Sequence, residues 1–151
     1  AIAENGQIYL TDMARHYYSD SIIAETIEEQ KKVIKERVAA LRGKEPFPAL
    51  DKQTVILVDD GIAMGSTMKA AIMMCRDLNA RQIVVAAPIA GREVFRVFGS
   101  LADDVVVLDT PDFFQAVAQG YREWYDVTDD EARSYLKQGK SDVKRLKEAM
   151  R

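Results

Sequence analysis

From residue 21 to residue 42, apolar side chains recur at Ile23, Ile27, Ile34, Val38 and Leu41, the spacing of one helical face. Gly43 stands where a C-terminal cap is wanted, so the pattern predicts one long amphipathic helix. Its other face carries Glu25, Glu28, Glu29, Lys31, Lys32, Lys35 and Glu36, with Glu28 four residues before Lys32, and reads as a solvated surface. Ahead of it, the turn dipeptide Asn5-Gly6 precedes a β-branched and aromatic run at residues 7–10, which predicts a hairpin arm or edge strand. Pro46 and Pro48 end the helical pattern and predict a connector.

Beyond the prolines the period changes. Continuous apolar runs at residues 54–58, 82–88 and 104–108 predict buried strands, and helical spacing at residues 67–78 and 92–98 fills the gaps between them. Such alternation is the pattern of βαβ units, so the expected class is α/β, a parallel sheet with helices on both faces. After Pro111 the pattern predicts helical pieces over residues 112–124, from a Thr128–Glu131 capping-box spacing, and over residues 141–151. The last piece holds Lys144, Arg145, Lys147 and Arg151, but Asp142 and Glu148 interrupt them, which favours a charged terminal helix over a nucleic-acid arm. With no internal repeat, low-complexity tract or interdomain linker, residues 1–151 read as a single domain.

Composition narrows the setting. The 151 residues are 48% apolar and 30% charged, with a net charge of -3. A chain of this size hides about 70% of its unfolded surface, enough for a real core, and disorder as the overall state is excluded. No apolar run approaches the roughly 18 residues needed to cross a bilayer, and the acidic balance gives no electrostatic reason to expect nucleic acid. A lone Cys75 and the lack of a secretory apolar region predict a reducing, cytoplasmic compartment. The chain opens at Ala1 without an initiator Met, as if from the middle of something longer.

The stretch that carries chemistry is Val55-Ile-Leu-Val-Asp-Asp-Gly-Ile-Ala-Met-Gly-Ser-Thr67. An apolar strand delivers Asp59 and Asp60 to its carboxyl end, a loop with Gly61 and Gly65 follows, and Ser66 or Thr67 is placed to cap a helix. Ligands of open parallel sheets sit beyond the carboxyl ends of strands. Glycines let the backbone approach a ligand, and free N–H groups at a helix start attract phosphate. Two adjacent carboxylates repel, which is tolerable when they accept hydroxyl hydrogen bonds or face a divalent cation. The residues therefore point to a sugar-phosphate or Mg²⁺-phosphate site. The structural alternative is that Asp59 or Asp60 caps the following turn and that Gly65 merely fits it.

This stretch resembles the 5-phosphoribosyl pyrophosphate (PRPP) signature of type I phosphoribosyltransferases: four apolar residues, two acidic ones, a short spacer, then Thr-Gly-x-Thr. The resemblance extends over most of the chain to a group of bacterial phosphoribosyltransferases of unassigned substrate. It is carried by Ala-Ile-Ala-Glu-Asn-Gly at the start, Leu41-Arg-Gly43, residues 84–88 and Thr110-Pro-Asp-Phe-Phe. The resemblance implies a type I phosphoribosyltransferase fold in which Asp59 and Asp60 meet the ribose 2- and 3-hydroxyls. It implies that the loop from Gly61 through Ala63, Met64, Gly65, Ser66 and Thr67 wraps the 5-phosphate. It further implies Mg²⁺ bound with PRPP, a nitrogen base as acceptor, pyrophosphate as leaving group and an oxocarbenium-like transition state; a homo-oligomer is expected separately, because missing upstream strands would leave an apolar sheet edge or face.

Three departures qualify that picture. Met64 replaces the first Thr of the family pattern, so one phosphate-contacting hydroxyl is missing. Ala63 stands where the 6-oxopurine enzymes keep an Asp, which argues against hypoxanthine or guanine. The family's pyrophosphate loop lies on a strand well upstream, and residues 1–50 do not read as that strand and loop. The expectation is therefore a carboxyl-terminal part of a longer enzyme, truncated at its N-terminus and holding the ribose-phosphate half of the site. Competing readings are a non-catalytic PRPP- or nucleotide-sensing regulator of the same fold and a phosphoacceptor receiver domain. In the latter Asp109 would serve as acceptor, but no Lys lies in the required place.

Other residues read as structural. His16, beside Arg15, Tyr17 and Tyr18 and with no second His, is expected at a helix start or interface rather than in a metal site. Cys75 shares a helical face with Met68, Ile72 and Leu78, and it and Met68, Met73 and Met74 are expected in packing. Phe113, Phe114, Tyr121, Trp124 and Tyr125 could stack on an acceptor base, cover the sheet edge or form a dimer contact.

Overall fold

The computed structural model describes residues 1–149. Three parallel strands, β1 (Thr54–Val58), β2 (Gln82–Ile89) and β3 (Asp104–Asp109), lie in the order β1-β2-β3, with Thr54 opposite Gln82 and Val84 opposite Asp104. Helix α1 (Asp12–Tyr17) and the 22-residue α2 (Asp20–Leu41) precede the sheet. Helices α3 (Ser66–Asp77) and α4 (Glu93–Phe98) are its crossovers, and α5 (Asp129–Ala149) follows it. The α/β class and the strand positions are as the apolar runs predict.

The core lies on one face of the sheet. Ile83 and Val85 of β2 are fully buried beneath Met68, Ile72 and Cys75 of α3 and Val94 and Phe98 of α4. Each such aliphatic side chain contributes about 1.5–3 kcal/mol by leaving water. Asp103 completes the edge, accepting a 2.6 Å hydrogen bond from Ile83 N–H and a 2.9 Å ion pair from Arg76. Cys75 is 1% exposed, and burial pushes its thiol pKa up, so it packs and does not react. Met68 packs as expected, whereas Met73 is exposed.

The expectation of helices on both faces is not met. On the other face Ile56 is 61% exposed, Val58 73% and Leu108 82%. The cause is topological. Parallel crossovers are right-handed, and a strand order that advances in one direction puts every crossover helix on the same side. Covering the second face needs strands that reverse the order, and none occurs among the described residues. The strand at residues 54–58 is therefore a half-exposed edge rather than a buried strand.

Other expectations are corrected. Residues 7–10 form only a minimal hairpin, an antiparallel Ile2–Ile8 bridge across the turn at Gly6. Helix α1 was not expected, although Thr11 caps it by accepting from Ala14 N–H at 3.1 Å. His16 lies in the last turn of α1, edge-on to Tyr17 at 4.9 Å, not at a helix start. Residues 112–124 are not an α-helix. They hold one 3-10 turn, Val117–Gly120, because the Gln119 side chain accepts from the N–H groups of Gln115 and Ala116 and the segment packs on the sheet instead. The two predicted carboxyl-terminal pieces are one 21-residue helix running through Gly139. Its start is the expected capping box: Glu131 accepts from Thr128 N–H at 2.9 Å and Thr128 Oγ1 accepts from Glu131 N–H at 3.3 Å. Met150 and Arg151, the last positions of the predicted terminal helix, lie outside the described residues.

Candidate functional site

Beyond Val58 the chain leaves β1 as Asp59 and Asp60 and is pinned to the sheet again at Ile62. Ile62 pairs in parallel with Ala90, and its N–H donates to Ile89 O at 3.0 Å. The loop between is thus anchored on both sides at the carboxyl edge of the strands. Asp59 N–H donates to Ala86 O at 3.2 Å, and Asp59 Oδ1 accepts from Asp60 N–H at 3.1 Å. Part of the structural alternative therefore holds, since Asp59 does support its own turn. Its half-burial, and then the neighbouring Asp60 charge, raise its carboxyl pKa above the ordinary value. Asp60 is exposed.

Gly65, not Ser66 or Thr67, occupies the N-cap of α3. Its φ of +68° is the left-handed region that glycine adopts without strain, and no side chain caps the helix. The first-turn N–H groups therefore have no side-chain acceptor, an arrangement suited to an anion. Ala63 and Met64 form the outward rim, with Met64 77% exposed, and Gly61 is buried beneath the loop. The structure thus brings together Asp59, Asp60, Gly61, Ala63, Met64, Gly65, Ser66 and Thr67 on one loop and helix start. Thr67 also borders a cavity of about 650 Å³ between the hairpin and the half-buried apolar stripe of α2, lined by Ile8, Leu10, Ile23 and Ile27 among others.

The carboxyl-terminal segment closes over this loop, a contact that the sequence reading missed. Tyr121 Oη donates to Asp60 O at 2.6 Å. A Cβ on Gly61 would come within 2.4 Å of Val117 Cγ1, so only glycine allows the approach. Tyr121 stacks at a tilt on Trp124, centroids 5.1 Å apart, whereas Phe113 is 89% exposed. Among the described residues no three His, Cys, Asp or Glu side chains converge as a metal site. The pair at 59 and 60 can offer at most part of the oxygen shell of Mg²⁺, which fits an ion that brings phosphate oxygens and waters with it. No helix among the described residues is long and apolar enough to cross a membrane.

No protein-family model matches the chain. Two Mycobacterium tuberculosis proteins, of strains CDC 1551 and H37Rv and both described as putative phosphoribosyl transferases, are 36% identical to it over 139 residues. The match covers 90% of this chain, which spans 31% of the length of those relatives. The crystal structure of TT1426 from Thermus thermophilus superposes with a TM-score of 0.72 at 32% identity, covering 89% of this chain and 64% of that one. Over nine-tenths of its length, the chain is thus similar to proteins described as putative phosphoribosyl transferases.

Proposed function

We propose that this chain binds the ribose 5-phosphate part of PRPP, and that the protein transfers this group to a nitrogen base with release of pyrophosphate. The observation that carries the reading is the placement of the acidic pair and the uncapped helix start on one loop beyond a parallel strand. The phosphate takes the N–H groups at residues 63–67, and the ribose hydroxyls donate to Asp59 and Asp60. In the reaction the anomeric carbon's bond to pyrophosphate oxygen breaks as its bond to the base nitrogen forms. Two carboxylates beside the ribose favour the positive charge that develops on that ring. Mg²⁺, carried by the pyrophosphate and ribose oxygens, would neutralise the leaving group, with Asp60 as the accessible protein oxygen donor.

Calorimetry with Mg²⁺-PRPP tests the proposal. Asp60→Asn is expected to weaken binding by about 1.5–3 kcal/mol, the scale of a hydrogen bond to a charged acceptor. Equal affinity in that variant, or no heat at millimolar PRPP, would remove the assignment. Met64 on the rim favours a second reading, a PRPP- or nucleotide-sensing regulator without turnover, since it supplies no hydroxyl to the phosphate. Pyrophosphate release with any nucleobase decides against that regulator.

A further inference from the structure

We infer that Tyr121 is a positioning residue for Asp60, setting the carboxylate where a ribose hydroxyl meets it. The inference rests on the ribose 5-phosphate reading above. Tyr121 lies 61 residues beyond Asp60 in the chain, yet its hydroxyl donates to the Asp60 carbonyl at 2.6 Å. The N–H of Asp60 is held from the other side by Asp59 Oδ1 at 3.1 Å. Both peptide groups flanking the Asp60 Cα are therefore tied, which fixes the direction of its Cα–Cβ bond although its side chain is exposed.

Packing reinforces the tie. Val117 fills the space where a Gly61 Cβ would stand, and the backbone at Gly120 lies where a Cβ would come within 2.4 Å of Ile89 Cδ1. The 3-10 turn thus rests on the loop and on the end of β2 at once, and Trp124 braces the Tyr121 ring. Holding a charged acceptor in place before the ligand arrives lowers the ordering cost of binding. The phosphate end is anchored independently, by the Ile62–Ala90 bridge and by Phe98 beneath Gly65. Loss of the hydroxyl should therefore act on the ribose and spare the phosphate.

The experiment compares ribose 5-phosphate with inorganic phosphate, each titrated by NMR into the wild-type chain and Tyr121→Phe, together with the thermal midpoints. The expected result is that the wild type binds ribose 5-phosphate more tightly than phosphate. Tyr121→Phe should lose about tenfold on ribose 5-phosphate and less than about twofold on phosphate. If Tyr121→Phe keeps the full ribose preference, the positioning role is wrong while the site reading stands. Equal weakening of both probes would mean that the hydroxyl supports the fold and not Asp60. If the wild type shows no preference for ribose 5-phosphate, the site reading fails and the inference fails with it. Trp124→Leu provides a second variant: it should weaken ribose 5-phosphate selectively, and selective loss of phosphate would contradict the bracing.

Discussion

Gly65 and Phe98 meet so closely that a Cβ on Gly65 would stand 2.6 Å from the ring carbon Cζ. The residue that caps the start of α3 is thus also the lid of the core's largest fully buried side chain. Gly65→Ala meets two obstacles, the ring and a φ of +68°. A loss of about 2–4 kcal/mol is expected from overpacking and backbone strain together. Denaturant midpoints measure it, and a neutral variant would show that Phe98 yields freely.

Asp59 sets binding against stability. Its carboxyl pKa is raised by burial first and by Asp60 second, so ionising it disfavours the folded state. Stability is fully present below the unfolded-state pKa of about 3.9 and is lost as pH rises through the higher folded-state value. Asp59→Asn keeps an acceptor for Asp60 N–H and removes the ionisation. It should melt higher than the wild type at pH 7, with the gap closing towards pH 4, while binding ribose 5-phosphate more weakly. Melting curves across that range, paired with a titration, check both halves.

Met64 is 77% exposed. Met64→Thr should therefore leave stability within about 0.5 kcal/mol. It should improve phosphate-end affinity by about 0.5–1.5 kcal/mol, the range for one added hydrogen bond. Calorimetry with PRPP reads the change, and weaker binding would mean that the loop has adapted to the thioether.

The open sheet face should make the chain self-associate, because Ile56 and Val58 on β1 and Leu108 on β3, with β2 between them, leave apolar side chains exposed on that same face. Replacing Val58 and Leu108 by Thr should lower the mass seen by light scattering and leave the melting point within about 3 °C. A wild-type chain that is already a monomer would refute the expectation.

Where local pattern and long-range packing agree, the sequence was sufficient. The runs at residues 54–58, 82–88 and 104–108 and the Asp59-to-Thr67 loop lie where alternation and glycine spacing place them. Three features were hidden. Continuous apolar strands read as covered on both faces, yet whether Val58 or Leu108 meets a helix depends on strand order, which no local pattern contains. Residues 112–124 read as helical because their apolar spacing permits it, but Tyr121, Val117 and Gly120 are committed to Asp60, Gly61 and Ile89, all remote in sequence. The cap at Gly65 was legible only in part, since Ser66 and Thr67 are better side-chain caps and the left-handed backbone overruled them.

The advance of the strands from β1 to β3 also orders events in time. Thr54 waits only for Gln82, and Val84 only for Asp104, so each pairing closes a short loop and none depends on a strand far downstream. During synthesis, at about 5–20 residues per second, the layer around Ile83 can close while the carboxyl-terminal third is still being made. Tyr121 reaches Asp60 only afterwards. The nascent chain can thus close its solvent-shielded interior before the tie between Tyr121 and the Asp60 loop forms.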